Sequence, residues 1–233
     1  ANYVSRNITS YQAYNEVTLD GRLNASEWAD AEYYTTNNLV TNMTIHSKHD
    51  NEWVYFGITI FNDNTLYPDD YCEIYFDLDN DSFSTIIDLD DRKFMVNHTN
   101  ATQAYDGEGD TWNTNNSMTW DAKSWTTNGN VSFEIKVNKT MIWGLNPLAN
   151  DTVPFGVHFY SQAGGFHIWY GDRYDTVDQD YDETPTDWGL LGYSEAYEPV
   201  FISGIPEFSS IYIPILSMLV MMVIVSKRRR RKK

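Results

Sequence analysis

Apolar and polar side chains alternate along several short segments of the chain. Val54, Phe56, Ile58 and Ile60 alternate with Trp53, Tyr55, Gly57 and Thr59, and Cys72, Ile74 and Phe76 alternate with Tyr71, Glu73, Tyr75 and Asp77. The same beat runs through Val131–Asn138 and Phe155–Tyr160. A period of two predicts half-buried antiparallel strands. Turn-forming pairs separate them: Asp20-Gly21, Asp50-Asn51, Asn62-Asp63-Asn64, Asn128-Gly129 and Gly164-Gly165. No sustained helical period occurs in the first 200 residues. The expectation is an all-β domain over residues 1–193, an antiparallel two-sheet β-sandwich of jelly-roll type. One stretch departs from alternation. From Phe208 to Val225 the chain is almost continuously apolar, and seven cations, Lys227 to Lys233, follow it. Eighteen residues of helix span about 27 Å, close to the hydrocarbon thickness of a bilayer. This predicts a linker at 194–207, a transmembrane helix at 208–226 and a basic cytoplasmic tail at 227–233, with the N-terminal domain outside.

Composition sharpens that topology. The chain carries 16 Lys and Arg against 33 Asp and Glu. With seven cations in the tail, nine remain in the part of the chain before it against all 33 acids, a net charge near −24. Such a surface repels nucleic acid and other polyanions, and it suits divalent cations or neutral partners such as sugars. Ala1 is the kind of small residue that signal-peptide cleavage leaves. Cys72 is the single cysteine, read as a buried apolar side chain on a strand. Asn-X-Ser/Thr occurs at Asn7, Asn24, Asn42, Asn80, Asn97, Asn100, Asn115, Asn130, Asn138 and Asn150. Ten sequons are about three times the number that chance placement gives, which predicts N-glycans on an extracellular surface.

Candidate chemistry is sparse. Asp77, Asp79 and Asp81 recur at every second residue, with Asp88, Asp90 and Asp91 close behind. Alternate carboxylates in a tight loop can converge on calcium, which takes six to eight oxygens; a solvated acidic turn is the competing reading. No nucleophile elbow, zinc motif or phosphate loop is present, so no residue is assigned a catalytic role and the chain is not read as an enzyme. His158 and His167 fall on the polar phase of their strands, able to face a cleft, whereas His46, His49 and His98 read as turn or strand-edge residues. Trp28, Trp53, Trp143 and Trp188 read as core. Trp112, Trp120 and Trp125 lie among polar residues and are candidates for stacking.

The ordered segments Val17–Tyr34 (VTLDGRLNASEWADAEYY), His49–Asn64 (HDNEWVYFGITIFNDN), Asp69–Asp81 (DDYCEIYFDLDND), FEIKVNKTMIWGL, VPFGVHFYS and Thr184–Tyr193 (TPTDWGLLGY) resemble the family 9 carbohydrate-binding module and its DOMON-like relatives over about residues 15–193. The resemblance implies a single β-sandwich, often with bound calcium. It also implies a sugar site in which two aromatic rings clamp a sugar while a strand Glu and an Arg bond its hydroxyls. Glu73 matches the Glu, and Tyr67 takes the place of the first clamp Trp. The second ring comes from Trp169, Tyr170, Tyr174 or Tyr181, with Trp169 and Tyr181 the favoured pair. The Arg position holds Met95, which removes a charge-assisted bond. Some DOMON-like relatives hold haem b between a Met and a His or Lys; Met95 with His158 or His167 makes that the lesser alternative.

The segment Gly204–Lys233, with Pro206-Glu207-Phe208 before the apolar run, resembles the PEF-type C-terminal sorting signal of archaeal surface proteins. That resemblance implies recognition by an archaeosortase, cleavage near the motif and transfer to lipid; a plain membrane anchor is the simpler reading. The combined expectation is a surface-anchored, glycosylated, non-catalytic module that binds a glycan or cell-surface polysaccharide. The alternative is a structural or adhesive glycoprotein that keeps the fold without a ligand site.

Overall fold

The computed structural model of the protein describes residues 7–36, 41–63, 67–79, 87–109, 111–127, 129–144, 148, 150–162, 166–170 and 188–195, without the side chains of Phe166 and Trp169. Among the described residues thirteen strands follow one another: β1 (Asn7–Gln12), β2 (Glu32–Thr35), β3 (Met43–His49), β4 (Trp53–Phe61), β5 (Tyr71–Phe76), β6 (Arg92–Asn97), β7 (Thr102–Gly107), β8 (Trp112–Thr114), β9 (Trp120–Thr127), β10 (Asn130–Asn138), β11 (Thr152–Ser161), β12 (Phe166–Tyr170) and β13 (Gly189–Ser194). Two single-turn helices, α1 (Ala25–Trp28) and α2 (Thr140–Trp143), interrupt them. Among the described residues no helix is long and apolar enough to cross a membrane. The expected span at 208–226 and the tail at 227–233 lie outside the described residues, as does the linker after Glu195.

The strands form one hydrogen-bonded network in the order β8-β7-β6-β5-β11-β13-β1-β3-β4-β10-β9, with β12 on β11 and β2 on β3. It curls so that its two halves face each other. Phe56 of β4 stacks on Phe155 of β11 at 5.1 Å, Phe133 of β10 meets Phe159 of β11 at 5.9 Å, and Phe94 of β6 meets Trp120 of β9 at 5.2 Å. The sandwich expectation holds, with one correction. The two layers are not separate antiparallel sheets, because β1 joins them, running parallel to both β13 and β3. β1 and β13 come from opposite ends of the domain. No hairpin constrains their direction, and parallel pairing needs none.

The apolar phase of each predicted strand fills the core. Val54, Phe56, Ile58, Ile60, Cys72, Ile74, Phe76, Val131, Phe133, Ile135 and Val137 are all completely buried. Alternation misleads about β3 and β4, whose second face is also covered. Residues 13–31, including α1, lie across it and bury Trp28, Ala31 and Tyr55. Glu134 on β10 anchors that covering segment. Its carboxylate accepts hydrogen bonds from the Asp20 and Gly21 amides at 2.9 and 2.7 Å and from the Trp28 indole at 2.9 Å. Lys48, wholly buried, pairs with Asp30 at 2.8 Å and donates to the Asn15 carbonyl. His46 and His49, expected at turns or edges, sit within β3 instead. Gly21 has φ +85°, and a Cβ there would lie 2.5 Å from the Ser124 carbonyl carbon, so only glycine lets this loop close onto β9.

Candidate functional site

The outer face of the other half carries the polar phases of five strands, aligned by register into three rows. The middle row runs Gln103, Met95, Glu73, His158 and the backbone position of Trp169. One side of it holds Asn97, Tyr71, Tyr160 and His167; the other holds Tyr105, Lys93, Tyr75 and Gly156. Residues far apart in sequence meet because directly opposed side chains on paired strands share one face.

Glu73 is the hub. It is 5 % exposed, and its carboxylate accepts hydrogen bonds from the Tyr75 hydroxyl at 2.5 Å and from His158 Nδ1 at 2.9 Å. Lys93 Nζ stands 3.6 Å from its other oxygen. Burial pushes the Glu73 carboxyl up, but the His158 bond, the Lys93 charge and the Tyr75 bond outweigh burial and hold it below the usual carboxylate range. An ionised Glu73 makes His158 Nδ1 the donor, so a neutral His158 presents a bare Nε2. His167 Nδ1 lies 2.8 Å from that Nε2, and the rings stack at 5.1 Å with 5° between planes. His167 Nδ1 therefore donates in the neutral chain. Burial lowers the His167 pKa, and the nearby Glu73 charge opposes that shift.

Lys93 was not singled out by sequence. It follows from alternation once β6 is placed beside β5: Phe94 and Val96 point to the core, so Lys93, Met95 and Asn97 share the face of Glu73. Its ammonium sits 4.8 Å from the ring centres of both Tyr105 and Trp112 and 5.9 Å from Tyr75. Desolvated cation–π contacts and the carboxylate hold it in place. Lys93 thus places a cation on the same strand as Met95, one side-chain row away.

Tyr67 lies beyond the start of β5, 47 % exposed, on a turn fixed by Asp70, whose Oδ2 accepts the Tyr67 amide at 3.0 Å and whose Oδ1 accepts the Gln162 amide at 2.7 Å. Tyr71 and Tyr160 pack at 5.3 Å, and Tyr160 meets His167 at 4.8 Å, so that end of the face is aromatic. Of the remaining clamp candidates, Tyr170 is buried in the core. The side chain of Trp169, together with Tyr174 and Tyr181, lies outside the described residues. Met95 and His158 stand on opposite sides of Glu73, and both ring nitrogens of His158 are engaged.

The acidic loop converges differently from its spacing. Asp77, Asp79 and Asp90 offer carboxylate oxygens within 4.8 Å of one another, so Asp90 joins the set, while Asp81 and the sequon at Asn80 lie outside the described residues. Burial and the neighbouring carboxylates Asp88 and Asp79 push Asp90 up to about 7. Burial, with Asp77, Asp88 and Asp90, pushes Asp91 up to about 8. The Asp90 Oδ2 is buried without a hydrogen-bond partner. Crowded oxygens of this kind fit a hard divalent cation.

Three sequons have a local structural role. The side-chain carbonyls of Asn97, Asn115 and Asn138 cap their own turns by accepting from Thr99, Ser117 and Thr140 respectively. The side-chain nitrogens of Asn97 and Asn115 also donate, to the Pro68 carbonyl and to Asp106. Asn7, Asn24, Asn42, Asn100 and Asn150 are exposed, and Asn130 is half-buried. Trp120 packs on the core and Trp112 on Lys93, which leaves Trp125 as the exposed member of the candidate trio.

No family model and no curated protein sequence matches the chain. Solved structures do. A family 9 carbohydrate-binding module from Caldicellulosiruptor kristjanssonii in complex with cellotriose is similar with a TM-score of 0.59 and 14% identity, covering 86% of this chain and all of that one. A family 9 module from the same organism in complex with glucose has a TM-score of 0.58 and 16% identity, over 80% of this chain and 96% of that one. A putative carbohydrate-binding protein from Bacteroides uniformis has a TM-score of 0.58 and 10% identity, over 82% of this chain and all of that one. At these identities the likeness is one of fold.

Proposed function

We propose that the protein is a non-catalytic saccharide-binding module, using the face around Glu73. The observation that carries this is the combination of an ionised, cation-paired carboxylate and a His158–His167 chain, floored by a rigid sheet and rimmed by Tyr67, Tyr71 and Tyr160. Aromatic faces stack on the apolar faces of pyranoses, while fixed donors and acceptors read hydroxyls. Glu73 itself is sunk beneath the surface. In this reading it orients His158 and Lys93, and the aromatic rings at the rim of the face meet the ligand. The neighbours' complexes with cellotriose and glucose make these the first probes.

The test is a titration of wild type and Tyr67→Ala with cellotriose and glucose. A platform exposed before ligand arrives contributes to affinity and little to stability. We expect wild type to bind with a Kd on the order of a millimolar, about −4 kcal/mol, and Tyr67→Ala to lose binding at unchanged Tm. Binding equal in the two would remove Tyr67 from the site. No binding by wild type across a wider panel of oligosaccharides would favour the structural reading, in which the buried Glu73 network serves only to fix the fold.

Calcium is part of the proposal, held by Asp77, Asp79 and Asp90, where it would neutralise crowded carboxylates and rigidify the end of β5. Display at the outer face of a membrane through 208–226, N-glycans on the exposed sequons, and processing by an archaeosortase at Pro206-Glu207-Phe208 remain proposals from sequence. Mass spectrometry of the mature C-terminus tests the last of these: an intact Lys227–Lys233 tail rejects processing.

A further inference from the structure

A second groove lies on the opposite half of the molecule. It has a volume of about 370 Å³ and is lined by Arg22, Leu23, Asn24, Thr59, Trp125, Thr127, Asn130 and Ser132. Its outer wall is the Asp20–Asn24 loop and its floor is the outward face of β4, β10 and β9. Register places Trp125 directly opposite Ser132 and Thr127 opposite Asn130, so these four side chains emerge together.

Two features set this groove apart from an ordinary surface crease. First, its wall is held rigidly from beneath: the fully buried Glu134 accepts the Asp20 and Gly21 amides, Ser132 Oγ donates to the Gly21 carbonyl at 2.6 Å, and Asn130 Oδ1 accepts the Asn62 amide at 3.2 Å. Second, its most reactive pair is left for use. The Arg22 guanidinium lies 3.7 Å from the ring centre of Trp125, an indole 39 % exposed, and among the described residues it enters no ion pair. In a chain with 33 acidic residues, an arginine without a carboxylate partner, laid flat on an exposed tryptophan, has its five donors available.

We propose that this groove is a second saccharide site, taking a neutral pyranoside. The apolar face of the sugar packs on the exposed part of the Trp125 indole, beside Arg22. The guanidinium fork donates to a vicinal pair of hydroxyls, and the Thr127 and Ser132 side chains supply further donors and acceptors. Charge decides the class: one cation suffices to bond hydroxyls, but the surrounding net negative charge disfavours acidic polysaccharide. The site shares no residue with the Glu73 face, so it stands or falls independently of that reading. Two sites on opposite halves of one rigid domain would let the protein bridge two glycan chains, with an avidity that neither site has alone.

The test uses the full chain in detergent, produced without N-linked glycans because Asn24 and Asn130 line the groove. The indole N–H signal of Trp125 is identified by its loss in Trp125→Phe. It is then followed by nitrogen–proton correlation spectra during titration with the methyl pyranosides of glucose, galactose, mannose and N-acetylglucosamine, and with sodium glucuronate. We expect a saturable shift with at least one neutral pyranoside, weakened at least about tenfold in Arg22→Gln through loss of a charge-assisted bond and unchanged in Glu73→Gln. Arg22 is exposed, and an unaltered spectrum elsewhere shows that its variant is folded. No shift up to about 100 mM of any pyranoside, well beyond the millimolar range, would overturn the proposal. So would equal binding by Arg22→Gln, or a shift with glucuronate alone.

Discussion

Single buried charges govern much of this protein. Lys48 and Asp30 are both essentially inaccessible and pair at 2.8 Å, fastening the covering segment to β3. Removing one partner strands the other in a poor dielectric, so Lys48→Met should destabilise by about 3–5 kcal/mol, read by chemical denaturation. A loss under 1 kcal/mol would mean that water reaches Asp30. Histidines act with the opposite sign. Burial lowers His46 to about 4, and burial with the Lys139 charge lowers His49 to about 4. The unfolded chain binds protons near 6.5, so between pH 6.5 and 4 it takes up more than the folded one and stability falls as pH falls, by up to about 3 kcal/mol per histidine. Asp90 and Asp91, raised to about 7 and about 8, work in reverse, losing stability as pH rises. The histidine share is isolated by comparing Tm at pH 7 and pH 4.5 in wild type and His46→Phe/His49→Phe. The variant should lose less on acidification; an equal loss rejects the assignment. None of these shifts was legible in the chain itself. Each histidine stands in a pattern that looks like a strand edge, and only its packing against Trp28, Tyr33 or Tyr193 removes it from water.

At the scale of elements, alternation identified β4, β5, β10 and β11 because each has a face fully committed to the core. It said less about β3, where the segment carrying α1 buries the second face as well. The Asp-Gly expectation at positions 20 and 21 is met by a turn whose glycine is demanded twice, by its φ of +85° and by the Ser124 backbone beside it. Gly21→Ala should therefore lift the loop from β9 and cost about 1–3 kcal/mol. The same change should expose Trp125 further, visible as a red shift of the emission component that Trp125→Phe removes. A variant as stable as wild type, with unshifted emission, would show that the loop tolerates displacement.

At the scale of the whole molecule, the curled sheet sets two polar faces on opposite sides of one core and gathers the acidic loop at one end of β5. If that loop holds calcium, the ion binds only the folded chain and stabilises by mass action, about 2.7 kcal/mol at a hundredfold excess over its Kd. Melting with calcium and with chelator should then differ, and Asp77→Asn with Asp90→Asn should abolish the difference. Coincident curves for wild type would reject the site. The all-β class, the acidic surface and the apolar segment followed by seven cations were all readable from residues in order, because each is a property of neighbours along the chain. Glu73 was readable as a polar residue on a strand, and Asp77 with Asp79 as a pair. The rest depended on which strands lie side by side. Lys93 reaches Glu73 only because β6 pairs with β5. His158 reaches it because β11 pairs on the other edge, and His167 follows from β12. Asp90 joins Asp77 across a loop, and Arg22 covers Trp125 from more than 100 residues away. Period and composition report which face of a strand is wet; they carry no record of the partner across the gap. That partner is set by sheet order and register, which belong to the folded chain alone.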